Sequence, residues 1–183
     1  MKHKDYLLIA LVPLALLLLP ITGQLTVDGW NWSWHDFVFA WVVFTFATWF
    51  FRLLVTRPMA NFAYKLGVTL AVLTGFFITW TNLAVQIIGD ENPGNLLYML
   101  TILGGFIGVG VSRFQPTALA KVAFGMAAAL LVIPVISVLL WPADFNPGYP
   151  KVQVLSSCCA AMFIASGLLF RRAASQPQKP LAA

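Results

Sequence analysis

The amino-acid sequence predicts an all-α, polytopic membrane protein with six transmembrane helices and both termini in the cytoplasm. Hydrophobic residues make up 60% of the 183 residues and charged residues only 9%, and the mean hydropathy is +0.85. These values lie far outside the range of soluble globular proteins. The apolar residues form six long runs. Basic and acidic residues occupy alternate gaps between the runs, a pattern typical of proteins that cross a membrane several times.

Each apolar run can be compared with the roughly 20 residues that cross the hydrocarbon core of a bilayer. The predicted spans are residues 6–22, 37–54, 66–89, 96–112, 121–141 and 152–170. The first run is long and lacks a small-x-small cleavage motif near Gly23, so we interpret it as a retained span and not as a signal peptide. The fourth run is short unless it includes part of its flanks, and the sixth is softened by three serines.

The distribution of charge predicts the orientation of the chain. Ten of the eleven basic residues lie at the N-terminus, after the second and fourth spans, or in the C-terminal tail, with Lys151 as the exception. Five of the six acidic residues lie in the other gaps. Because lysine and arginine accumulate in cytoplasmic loops, the N-terminus is expected in the cytoplasm. An even number of spans returns the C-terminus to the same side.

The gaps between spans indicate a single domain. The longest, residues 23–36, is too short to bury a core of its own. We therefore expect one six-helix transmembrane domain over residues 1–172. Serine, glutamine and proline collect in residues 173–183, which predicts a disordered cytoplasmic tail.

The third span carries the most polar positions expected inside the membrane. At 100° per residue, Gly75, Thr79, Asn82 and Gln86 fall on one narrow face of a helix. Carboxamide groups in hydrocarbon need hydrogen-bond partners or water. Two interpretations stay open: the stripe packs and hydrogen-bonds against a neighbouring helix, or it lines a cavity or permeation path.

The fourth span offers a candidate packing face for this stripe. Gly104 and Gly108 form a small-xxx-small pair, which lets two helices approach closely. A tight turn joins the third and fourth spans. We therefore expect this pair to meet the stripe of the third span.

Two pairs of adjacent titratable residues are candidates for a site at the outer surface. His35 and Asp36 precede the second span, and Asp90 and Glu91 follow the third. His35 and Asp36 could form a proton or metal site, but no second or third ligand is evident, and Asp36 also fits the capping of a helix. Asp90 and Glu91 could bind a cation together with backbone carbonyls, but adjacent carboxylates on an exposed turn are usually solvated. We predict no metal site and no cofactor.

Intramembrane catalysis would need a paired nucleophile and base or a cluster of carboxylates. The interiors of the predicted spans, away from their ends, contain no Asp, Glu, Lys, Arg or His. Cys158 and Cys159 lack the Cys-x-x-Cys spacing of thiol oxidoreductases. Together with Met162 they could bind Cu(I), although buried cysteine acting as a small apolar residue is the simpler interpretation. The sequence therefore predicts that the protein is not an enzyme.

Residues 80–95 read W-x-N-L-A-V-x-I-I-G-x-E-N-P-x-N. This segment resembles a signature of small, uncharacterised bacterial inner-membrane proteins. The resemblance covers 16 residues and implies a bacterial inner-membrane location, with no activity to transfer. Gln86 departs from the pattern, which has a small residue, usually glycine, at that position.

Two functional hypotheses remain. The first is a structural or accessory membrane protein, oligomeric through its glycine faces. The second is a small channel or transporter for a neutral or weakly polar solute, lined by the stripe of the third span; lipid or quinone binding is a variant of it. The expected partners are the lipid bilayer and either a second copy or another membrane protein. No nucleic acid is expected, because the basic residues are spread over several loops.

Overall fold

The computed structural model describes residues 3–29, 31–57, 60–142 and 148–176. These residues form α-helices joined by turns, and none of them belongs to a β-strand. The helices are α1 (His3–Thr26), α2 (Trp34–Val55), α3 (Phe62–Val85), α4 (Asn95–Val111), α5 (Pro116–Leu140) and α6 (Tyr149–Ser175). The predicted all-α fold class is confirmed.

Five of these helices, all except α4, are long and apolar enough to cross a membrane. Their lengths run from 22 residues in α2 to 27 in α6. Helix α4 is also apolar but has only 17 residues. The chain is therefore a polytopic all-α membrane protein, and α4 differs from the other helices in length.

The structure corrects two predicted boundaries. Helix α3 ends at Val85, four residues before the predicted end of the third span, because Gln86 leaves the helical region with a φ of 49°. Helix α6 extends to Ser175, so the first residues of the predicted tail are helical. Ala173 is buried there, and its carbonyl accepts a hydrogen bond of 3.0 Å from the side chain of Asn61. Residues 177–183 of that tail lie outside the described residues.

The chain divides into two compact units, Met1–Pro58 and Met59–Ala183. The first unit contains α1 and α2, and the second contains α3 to α6. A single domain over residues 1–172 stays a prediction.

In the first unit, α1 and α2 form an antiparallel pair closed by a buried ion pair. Asp5 lies in the first turn of α1 and is only 4% exposed, and Arg52 lies in the last turn of α2 and donates to its carboxylate. An acidic side chain at a helix N-terminus and a basic side chain at a helix C-terminus also interact favourably with the helix dipoles. The pair therefore joins the two helix ends that the charge pattern predicts to be cytoplasmic.

Breaking this ion pair should destabilise the first unit. We expect Arg52→Gln to lower the free energy of unfolding by about 2 kcal/mol, because it removes the guanidinium that donates to the buried Asp5 carboxylate. The double variant Asp5→Asn/Arg52→Gln should recover part of that loss. Unfolding followed by circular dichroism in detergent micelles measures both, with the exposed Lys4→Gln as control. Equal stability of the single and double variants would contradict the predicted coupling.

In the second unit, α6 packs against α3 on one side and α5 on the other. The backbone of α3 meets α6 at Gly67, whose carbonyl accepts a 2.8 Å hydrogen bond from the hydroxyl of Ser166. On the opposite side, a Cβ at Gly167 would lie 2.7 Å from the ring of Phe124 on α5. Two glycines therefore allow the close approach of three helices.

Helix α4 packs against α5 and makes few contacts with α3. A Cβ at Gly108 would lie 2.9 Å from Val122, and one at Gly105 would lie 2.7 Å from Met126, both on α5. Gly104 is exposed, with no atom of the described chain within 4 Å of a Cβ placed there. This corrects the expected role of the Gly104/Gly108 pair, because Gly105 and Gly108 face α5 while Gly104 points away.

Candidate functional site

Residues 86–95 connect α3 to α4 and carry a dense set of polar contacts; we call this segment the cap. Gln86, Gly89 and Glu91 have φ values of 49°, 125° and 60°. Positive φ is uncommon for residues other than glycine. Backbone hydrogen bonds of 3.1 Å from Gly89 to Gln86 and 3.0 Å from Asn95 to Asn92 close successive turns. The cap is therefore a folded segment with its own hydrogen bonds.

The side chain of Asn95 holds the centre of the cap. It is 7% exposed, its Oδ1 accepts from the amide of Ile88 at 3.1 Å, and its Nδ2 donates to the carbonyl of Gly89 at 2.8 Å. The same Nδ2 donates to Oε1 of Gln86 at 3.3 Å. Since one side chain satisfies backbone groups of the turn, it fixes the path of the chain between the two helices.

Two side chains of the predicted stripe support this arrangement, Asn82 from α3 and Gln86 from the start of the cap. Oε1 of Gln86 also accepts from the amide of Glu91 at 2.6 Å. Nδ2 of Asn82, in the last turn of α3, donates to the backbone carbonyl of Asn95 at 3.2 Å. Asn82 is 6% exposed, and its Oδ1 has no hydrogen-bond partner among the described residues. The polar end of α3 is therefore used to anchor the cap.

The cap is also packed against the helices below it. Ile87 and Ile88 are buried, and a Cβ at Gly94 would lie 2.4 Å from Oγ of the buried Ser137 on α5. Asn92 turns its Oδ1 back to accept from the amide of Gly94 at 2.7 Å. The cap thus reaches α5 at a position where no side chain larger than hydrogen fits.

The structure does not bring the four predicted stripe residues onto one functional face. Gly75 faces α4 at ordinary contact distance, 3.8 Å from Ile102 to a Cβ placed there. The hydroxyl of Thr79 donates to the carbonyl of Gly75 within its own helix at 2.8 Å. Asn82 bonds to the cap, and Gln86 lies beyond the helix end. The stripe is divided between helix packing and the cap.

Sequence reasoning missed Asn95, Asn92 and Ser137 as members of this network. The available signal was the turn composition of the segment, in which two asparagines flank Pro93 and Gly94. Asparagine side chains commonly bond to nearby backbone groups in turns, and glycine accepts close approach. Ser137 offered no such signal, because it lies in an uninterrupted apolar run of α5.

Below the cap, side chains from the four helices of the second unit line a narrow crevice. A 2.7 Å hydrogen bond joins the hydroxyls of Tyr98 and Ser156 in its wall. Cys159 also borders the crevice, while Cys158 is exposed, and both thiols are free. The crevice is too narrow to admit a water-sized sphere, so its side chains are packed against one another.

The candidate outer-surface residues belong to separate units. The ring of His35 stacks on that of Trp34 with centroids 3.5 Å apart. The carboxylate of Asp36 accepts from the amide and hydroxyl of Ser33 at 2.7 and 2.8 Å, which caps α2. Asp90 and Glu91 are exposed on the cap. Within the described ranges, no group of three or more histidine, cysteine or acidic residues could hold a metal ion.

No protein-family model, curated protein or solved structure matches the chain. The segment with the resemblance, residues 80–95, coincides with the last turn of α3, the cap and the start of α4. Its asparagines at 82, 92 and 95 all make hydrogen bonds that shape the cap.

Proposed function

We propose that the chain is a multi-pass protein of the bacterial inner membrane, with both termini cytoplasmic, that acts as a structural or accessory component and has no catalytic centre. The observation that carries this proposal is the hydrogen bond from Asn82 to the carbonyl of Asn95. The residue at the centre of the predicted polar stripe holds two helices and a turn together. Polar groups within the second unit are therefore used for folding, as the structural hypothesis requires.

The charge pattern supports the placement in the membrane. Basic residues cluster at alternate helix ends, and the Asp5–Arg52 pair joins two of those ends. The resemblance of residues 80–95 supports a bacterial inner membrane. The bilayer is then the principal partner, and a second copy or another membrane protein is the further partner that an accessory role needs.

The channel hypothesis has less support from the geometry. A path for a neutral solute would need Thr79, Asn82 and Gln86 to present hydrogen-bonding groups to the solute. The Thr79 hydroxyl instead donates to its own helix, and the two carboxamides bond to the cap. The crevice below the cap, which Tyr98, Ile78 and Leu130 help to line, admits no water-sized sphere. These contacts favour the structural role.

Substituting Asn82 by leucine tests the two hypotheses directly. The variant loses the bond to Asn95, and we expect the free energy of unfolding to fall by about 1 kcal/mol. Glycerol and urea flux into proteoliposomes should equal that of empty liposomes for both wild type and variant. Stopped-flow light scattering measures the flux.

Thr79→Val is the matched control, because its hydroxyl bonds only within its own helix. It should change neither stability nor flux. Wild-type flux above that of empty liposomes, lost in Asn82→Leu while stability is kept, would overturn the structural proposal and support a channel.

A further inference from the structure

Helix α4 presents one continuous apolar face to its surroundings. Its exposed large side chains follow each other at spacings of three and four residues, which places them on one side of the helix. They are Leu96, Leu100, Leu103, Ile107 and Val111, all more than half exposed. In a membrane protein such a face contacts lipid.

This face is short for a bilayer. From Leu96 to Val111 there are 15 steps, which at 1.5 Å each give about 23 Å. The hydrocarbon core of a typical bilayer is about 30 Å thick. Both ends of the face are bounded by charge: Asp90 and Glu91 are exposed on the cap, and Arg113 is exposed in the turn after α4.

Helix α5, which packs beside α4, carries a second cation at the level of the last turn of α4. Lys121 is exposed in the second turn of α5, and its neighbour Val122 contacts α4 at Gly108. Lys121 therefore lies beside α4 and not beyond its end.

The reach of long charged side chains does not remove the difference in length between the apolar face of α4 and the hydrocarbon core. Lysine and arginine can extend their charged groups toward the headgroups, but a backbone turn cannot leave its position. The turn at residues 112–114 carries positive φ at Arg113 and Phe114, and the cap carries exposed carboxylates that need water. Helices α3, α5 and α6 have 24, 25 and 27 residues, so within the second unit the short helix is α4.

We propose that the α4 face, with Arg113 and Lys121 at one edge, is an interaction surface for a locally thinned bilayer. The lipid it fits has a hydrocarbon layer about 6 Å thinner than usual and an anionic phosphate headgroup beside the two cations. A short apolar stretch is matched by thinning of the surrounding bilayer, at a modest cost for each ångström. The inference rests on the proposed membrane placement and adds a preference among lipids.

The test uses the full chain reconstituted in vesicles of phosphatidylcholine and phosphatidylglycerol. The acyl chains are varied from about 14 to about 22 carbons, and the unfolding midpoint is measured in each vesicle. We expect the highest midpoint in the shortest chains and a steady decline as the chains lengthen. Lys121→Leu lengthens the apolar face of α5, so it should move the optimum toward longer chains by about two carbons.

Lys65→Leu is the matched control, because Lys65 is exposed in the first turn of α3 and belongs to neither α4 nor α5. It should leave the optimum unchanged. A flat profile, an optimum at the longest chains, or equal shifts in both lysine variants would overturn the inference. Efficient cross-linking between copies through Gly104→Cys, in a Cys158→Ser/Cys159→Ser background, would also overturn it, since a second copy would then cover α4.

Failure of the proposed function gives a different result. If alkaline extraction releases the chain from vesicles, the membrane placement itself is wrong. If the chain is retained but its stability does not depend on chain length, the membrane placement stands and only the thinning is wrong.

Discussion

Replacing Gly94 by alanine is expected to lower the free energy of unfolding by about 3 kcal/mol. The added Cβ would lie 2.4 Å from Oγ of Ser137, 2.7 Å from Ile88 and 2.8 Å from Oδ1 of Asn92. All three neighbours are buried, so none can move into open space. The backbone of Gly94 has an ordinary helical conformation, and the loss therefore comes from the collision alone. Thermal or denaturant unfolding in detergent micelles measures it.

Gly104→Ala, on the helix that follows Gly94, is the matched control. A Cβ at Gly104 meets no atom of the described chain within 4 Å, so alanine should keep or slightly raise stability through its better helix propensity. A second variant, Gly94→Ala/Ser137→Ala, removes the closest collision and should recover part of the loss. If Gly94→Ala were as stable as Gly104→Ala, the cap would not be packed against α5 as described.

The six helices were predictable because apolar runs near 20 residues long produce a strong signal. The end of α3 was not. Residues 83–89 read L-A-V-Q-I-I-G, which continues the apolar run, yet the helix stops at Val85. Ile87 and Ile88 are apolar because they are buried beneath the cap, and not because they continue a helix. Hydropathy does not distinguish these two reasons for an apolar residue.

The neighbours of α4 were not predictable for a related reason. Gly104 and Gly108 have the spacing of a packing pair, but Gly105 and Gly108 are the glycines that face α5. The sequence supports both pairs equally as packing faces, because three- and four-residue spacings both keep residues on one side of a helix. The choice depends on the tertiary position of Met126 and Val122. Asn82, in contrast, was correctly expected to need a partner, although that partner is the backbone of the cap.

Substituting Asn95 by alanine should cost about 3 kcal/mol of unfolding free energy. The variant loses the bonds to the amide of Ile88, the carbonyl of Gly89 and the side chain of Gln86. The first two are backbone groups of a buried turn, and a buried backbone group without a partner costs more than the bond itself contributed. Loss of the turn should also release Asn82, so hydrogen exchange of the Ile88 amide is expected to accelerate together with the drop in stability.

Gln86→Gly provides the comparison within the same network. It removes two bonds, those to Glu91 and Asn95, but glycine adopts the positive φ of 49° at this position without steric strain. The two effects oppose each other, so the net loss should stay below about 1 kcal/mol. A loss from Asn95→Ala no larger than that from Gln86→Gly would contradict a central role for Asn95. A much larger loss from Asn95→Ala than from Gln86→Gly would mean that the cap depends on the Asn95 carboxamide, which bonds to the backbone. Gln86, the residue of the predicted stripe with a positive φ, would then be replaceable.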